Sequence, residues 1–196
     1  LNNPNKITPQ EFDVWMPLLQ AVENSVLWLL APDDHLKANL LKEADKRGIP
    51  ATRLVFAEKE TPANHLSRMQ QADLFLDAFN YNAHTTASEA VWAGVPLITK
   101  TGKQFSARVA TSILNAAGCP ELVTNTVEEY QSLALHLATT PSAHQAAKQR
   151  LKDNLMKTPL YDSERYVRDF EELMEMAIQR FDAGEPPVDM ALDTAK

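Results

Sequence analysis

The sequence predicts an α/β fold, a Rossmann-like parallel sheet flanked by helices. Three observations carry this. Short continuous apolar runs, residues 26–30 and 74–76 among them, read as strands with both faces covered. They alternate with helical patterns joined by short turns, the repeating unit of a doubly wound sheet. Polar groups also gather after the second, third and fourth predicted strands, at the carboxyl edge where such sheets hold ligands.

The elements follow in order. Residues 1–9 are polar and punctuated by proline, and are expected to be extended. Thr8 reads as an N-cap with Pro9 at the first helical position. The helix runs to about Glu23, with Phe12, Trp15, Leu18, Leu19 and Val22 on one face. Residues 26–30 form the first strand. Asp33 or Asp34 caps a second helix ending at Gly48, and residues 53–56 form the second strand. Pro62 opens a third helix to Ala72, on which His65 and Arg68, three apart, share a face. The third strand is 74–77 and the fourth 96–100. A helix over 105–117 ends at Gly118, and 121–123 is a short fifth strand. Helices over 127–139, 142–156 and 162–183 complete the fold. The domain is therefore expected to occupy 1–183, with 184–196 a disordered tail. Trp15, Trp28 and Trp92 are expected in the core. His35, His136 and His144 lie in polar helices and receive no role.

The 196 residues suffice for one domain with a sizeable core. A formal charge of −7 argues against a general nucleic-acid binder. The single cysteine, Cys119, reads as a small apolar residue and fits a reducing compartment. No signal segment or membrane-length apolar run is visible, so a cytoplasmic protein is expected. No G-x-G-x-x-G follows a strand, which argues against a dehydrogenase.

The stretch from Asp77 to Lys100 organises the chain. A polar loop leads into His84-Thr85-Thr86, where a helix begins; Gly94 stops it before the fourth strand. Free N–H groups and the helix dipole make that N-terminus a candidate anion site. Thr86 and Glu89 also form the S/T-x-x-E pattern of a capping box. The local pattern allows either a plain cap or a ligand site.

HTTASEAVWAGVPLIT, with the upstream NSVLWLL and downstream SARVA, resembles the HTT…WAG.P segment of the O-linked N-acetylglucosamine transferases and their bacterial relatives. The resemblance runs from Asn2 to about Asp182 and fits the C-terminal half of their catalytic region. It implies the nucleotide-sugar-binding half of a GT-B glycosyltransferase that inverts configuration and needs no metal or other cofactor. Such an enzyme moves N-acetylglucosamine from UDP to protein serine or threonine hydroxyls. It also implies a separate N-terminal catalytic half carrying the acceptor groove and general base, and preceding helical repeats. A fragment lacking these would bind UDP without catalysing transfer.

By that resemblance Lys6 contacts the diphosphate and stabilises the leaving group, with Asn3 at the polar position three residues before it. His84, Thr85 and Thr86 bind phosphate. His65 packs on the nucleoside and Arg68 reaches the base. Glu89 stands where the animal enzymes carry a ribose-binding aspartate, and Pro62 replaces a lysine that assists there. These residue types suit a sugar nucleotide. Its diphosphate needs donors and positive charge, its ribose an acceptor, and its base a flat apolar or cationic surface. Two other readings stand beside this one. One is a non-catalytic nucleotide- or protein-binding domain, the other a sugar-nucleotide enzyme of the same architecture, such as an epimerase.

Overall fold

The computed structural model describes residues 3–192. Leu1 and Asn2, and residues 193–196 of the expected tail, lie outside the described residues. The strands are β1 (Leu27–Leu30), β2 (Leu54–Ala57), β3 (Phe75–Leu76), β4 (Leu97–Lys100) and β5 (Val123–Thr124). The helices are α1 (Pro9–Ala21), α2 (Asp34–Asp45), α3 (Pro62–Met69), α4 (Thr85–Trp92), α5 (Val109–Ala116), α6 (Val127–Thr139), α7 (Pro141–Asn154) and α8 (Ser163–Asp182). Residues 184–192 contain no helix or strand.

Every pairing is parallel, as alternating strands and helices require. The sheet is not continuous, however. Among the described residues it forms two pieces, β1-β2 and β3-β4-β5, with no ladder between β1 and β3. The expected single sheet is thus interrupted, and an apolar cavity of about 510 Å³ occupies the interruption.

The main core lies where α1 and α6 pack with β4. Met16, Leu97, Ile98 and Tyr130 are all fully buried there. Phe79 meets Tyr130 edge-on at 5.0 Å, a favoured aromatic geometry. Burial of the Tyr130 hydroxyl is satisfied at both ends. It donates to the Asp77 carbonyl at 3.1 Å and accepts from Trp15 Nε1 at 3.3 Å.

Several element ends differ from the expectations, each for a local reason. α1 stops at Ala21, and Arg53 Nη2 takes up its last carbonyls, Leu19 O at 2.6 Å and Val22 O at 2.9 Å. Asn24 then turns the chain with φ +59°. α3 ends at Met69 because Gln71 and Ala72 donate three residues back, tightening the last turn. The expected helix over 105–117 is two pieces, a 3₁₀ turn over Phe105–Ala107 and then α5. The Ala107 carbonyl accepts from Gly102 N–H at 2.8 Å, which holds the turn against the preceding loop.

Trp92 is not a core residue, being 48% exposed. The buried face of α4 is Ala87, Ala90 and Val91, and Trp92 projects beyond it to meet Tyr161 edge-on. α8 keeps its predicted apolar spacing, yet none of its residues is buried. His144 has a structural use, its Nε2 lying 2.8 Å from the Asp73 carbonyl just before β3.

Candidate functional site

The loop after β3 is held from beneath by two buried carboxylates. Asp77 Oδ1 accepts from the N–H groups of Ala78 at 2.9 Å and Ala83 at 2.6 Å. Its Oδ2 accepts from the Thr99 hydroxyl of β4 at 2.7 Å. Burial dominates the titration of this group, pushing its pKa up to about 7 against the pull of those three donors. Glu11 in the first turn of α1 is also fully buried. Its Oε1 accepts from Phe79 N–H at 2.8 Å, and its Oε2 from Thr8 N–H at 2.8 Å and from the Thr8 hydroxyl. The start of α1 is thereby fastened to the loop over 77–83.

That fastening brings Lys6 to the same edge. Lys6 ends a 3₁₀ turn (Pro4–Lys6) whose N-cap is Asn3; Asn3 Oδ1 accepts from Asn5 N–H at 3.0 Å. Lys6 Nζ donates to the Asn82 carbonyl at 2.8 Å and sits 4.4 Å from the centroid of the Tyr81 ring. Burial lowers its pKa, and the neighbouring Asp77 charge opposes that shift. Asn82 is itself fully buried, its side-chain N–H donating to the Ala78 carbonyl at 2.8 Å.

His84 occupies the N-cap of α4 without a side-chain capping bond. Its ring stacks on Tyr81 at 4.8 Å, and its Nε2 lies 3.4 Å from the Ser106 carbonyl. Thr85 and Thr86 form the first helical positions, whose N–H groups have no acceptor within the helix. The capping-box reading of Thr86 and Glu89 is therefore corrected. His84 is the cap, and the Glu89 carboxylate turns to His65 Nε2 at 3.3 Å. Arg68 Nη2 lies 3.3 Å from His65 Nδ1 and can only donate. These partners assign the hydrogen of a neutral ring to Nε2, facing Glu89. Arg68 is fixed in turn by donating from Nη1 to the Glu58 carbonyl at 2.6 Å.

One open groove of about 700 Å³ is lined by Asn3, Lys6, His65, Arg68 and His84-Thr85-Thr86. Glu89 is not in its lining and stands behind His65. Lys59 and Tyr81 also line the groove and escaped the sequence reading. Their available signals were a cation in the segment after β2 and an aromatic ring between two asparagines in a polar loop. Cations, two imidazoles and a helix N-terminus in one groove make it suited to a flat, polyanionic ligand.

A parallel α/β domain with its polar loops converging on one carboxyl edge is Rossmann-like, and its likeness to a solved O-GlcNAc transferase makes it one half of a GT-B glycosyltransferase. The O-GlcNAc transferase mutant of Thermobaculum terrenum superposes with a TM-score of 0.85 at 28% identity, covering 90% of this chain and 34% of that one. The sequence profile of glycosyl transferase family 41 matches residues 1–170, and the chain belongs to that family. It is 36% identical over 187 residues to the UDP-N-acetylglucosamine--peptide N-acetylglucosaminyltransferase of Caenorhabditis elegans. That match covers 94% of this chain and 16% of the relative. A probable enzyme of the same description from Arabidopsis thaliana, SEC, is 32% identical over 87% of this chain and 18% of its own length. The chain thus spans less than a fifth of either relative. Among the described residues no helix is long and apolar enough to cross a membrane.

Proposed function

We propose that this chain is the nucleotide-sugar-binding half of an inverting, metal-independent protein O-N-acetylglucosaminyltransferase. UDP-N-acetylglucosamine is the donor, and protein serine and threonine hydroxyls are the acceptors. The observation that carries the reading is the meeting of Lys6 and the start of α4 in one groove with His65 and Arg68. In this reading the diphosphate lies between Lys6, Asn3 and the α4 N-terminus with His84, Thr85 and Thr86. The nucleoside lies toward His65 and Arg68, with Glu89 holding the His65 ring and, by the family resemblance, standing at the ribose position.

Transfer forms a bond from the acceptor oxygen to the anomeric carbon as the bond to the UDP oxygen breaks. The acceptor proton passes to a base in the missing half, and negative charge grows on the departing diphosphate. Preorganised donors at that diphosphate favour the transition state over the ground state. With the acceptor groove and the base elsewhere, this chain alone binds UDP and does not transfer sugar.

Titration calorimetry and amide NMR with UDP, UDP-N-acetylglucosamine and UDP-glucose test the proposal. UDP should bind, with shifts clustered at Lys6, His65 and 84–86. Shifts confined to the helices after Thr126, or none at millimolar UDP, would overturn it. A clear preference for UDP-glucose would redirect the reading to another sugar-nucleotide enzyme of this architecture.

A further inference from the structure

Among the described residues lining the groove, Glu60 is the one acidic side chain. The other charged groups there are the cations Lys6, Lys59 and Arg68. A carboxylate repels the phosphates of a polyanionic ligand. Its favourable partner in such a ligand is an uncharged part that carries hydroxyls. The expected phosphate donors come from the turn before α1 and the start of α4, whereas Glu60 comes from the segment after β2.

That segment is fastened to α3 at several points. Arg68 Nη1 donates to the Glu58 carbonyl at 2.6 Å. Thr61 is the N-cap of α3, its hydroxyl accepting from Asn64 N–H at 3.4 Å. Asn64 Nδ2 donates to Glu60 Oε2 at 3.1 Å. The last bond holds the Glu60 carboxylate beside the first turn of α3, next to the residue that precedes His65. A carboxylate has about four acceptor positions, so one such bond leaves Oε1 for a ligand.

Glu89 is placed differently. It does not line the groove, and its carboxylate meets His65 Nε2 at 3.3 Å. The His65 ring meets Arg68 Nη2 on its other side, at 3.3 Å from Nδ1. Glu89 therefore reaches the groove through the imidazole, and through it bears on Arg68.

We infer that Glu60 accepts from a ribose hydroxyl of the bound nucleotide, and that Glu89 is a positioning residue for His65 that does not touch the ribose. Doubly wound folds use a carboxylate for this hydroxyl. The inference rests on the groove holding a UDP-sugar, and it assigns the ribose end of that ligand.

Calorimetry on the whole protein with UDP, 2′-deoxy-UDP and 3′-deoxy-UDP tests it. Glu60→Ala should weaken UDP about tenfold or more, the scale of a hydrogen bond to a charged group. For the deoxy analogue that lacks the partner hydroxyl, the same substitution should change affinity by no more than about twofold, the limit of additivity for uncoupled groups. Glu89→Ala should weaken all three ligands by the same factor to within about twofold, because it acts through the ring. Glu89→Gln retains an acceptor for His65 Nε2 and should recover most of that loss. Melting curves of the three variants check that each remains folded. Equal losses on all three ligands for Glu60→Ala, or none on UDP, would overturn the inference while leaving UDP binding intact. So would a Glu89→Ala loss that disappears with one deoxy analogue. Failure of the wild-type protein to bind UDP would instead overturn the donor reading, and this assignment with it.

Discussion

Asp77 and Lys6 stand at the same sheet edge, carry opposite formal charges and influence each other's titration, yet their surroundings differ in kind. Asp77 is enclosed, and its three donors come from its own loop and from β4. Lys6 is half-buried, with one backbone acceptor and an aromatic ring, and it faces the groove. The first arrangement is complete without a ligand. The second holds a cation at an open edge, where a ligand can gain from it. Perturbed ionisable groups therefore divide here into one that shapes the loop and one available for chemistry, and the perturbation alone does not separate them.

Substitution should separate them. Asp77→Ala strands two buried backbone donors and a buried hydroxyl, so it should cost about 3 kcal/mol or more. Thermal melting should fall by roughly 10 °C for a chain of this size. An unshifted melt would show that the loop does not depend on this carboxylate. Lys6→Met should do the opposite in the whole enzyme. It keeps the stem over Tyr81 and removes the charge. Melting should stay nearly unshifted while kcat falls on the order of 10²-fold or more, the scale of one preorganised donor. Near-wild-type kcat in a normally melting Lys6→Met variant would remove Lys6 from the leaving-group role.

The pH dependence sharpens the same contrast. Asp77 has a folded-state pKa of about 7, above its ordinary 3.8, so the fold favours the neutral acid. Its contribution to stability is full below about pH 4 and is lost as pH rises through 7. Asp77→Asn stays neutral throughout. Melted in parallel between pH 5 and pH 8.5, wild type should lose stability relative to Asp77→Asn as pH rises. A constant difference would mean that the carboxylate titrates elsewhere. The smallest effect is expected at Thr86. Since His84 caps α4, Thr86→Ala should change stability by no more than about 0.5 kcal/mol. UDP affinity should still fall several-fold through the lost hydroxyl, by about 1 kcal/mol. A melting loss without a change in affinity would return Thr86 to a structural role.

These contrasts also mark where the sequence was informative. Alternating strands and helices were legible because their signals are local, and the HTT and WAG-x-P segments carried the family resemblance. The shared face of His65 and Arg68 followed from their spacing. The partner of Glu89 did not. A capping box and a contact to another helix compete for the same carboxylate, and the packing of α3 against α4 decides between them. The Asp77 network was hidden for a similar reason, since Thr99 lies on the neighbouring strand. Glu11 was within reach, because Thr8-Pro9-Gln10-Glu11 has capping-box spacing, but its second bond to Phe79 joins segments far apart in sequence. The interrupted sheet was not legible either, since a strand's neighbours are set by topology and not by its own pattern.

Gly102 has a consequence for how this loop can vary. A Cβ added there would lie 2.5 Å from the Cβ of Ala107, which is itself buried and has no flexible end to move aside. Every other residue type is thus barred from position 102 unless the turn over 105–107 is rebuilt. Variation in this loop is confined to exposed neighbours such as Lys103 and Gln104, which can change without disturbing that contact.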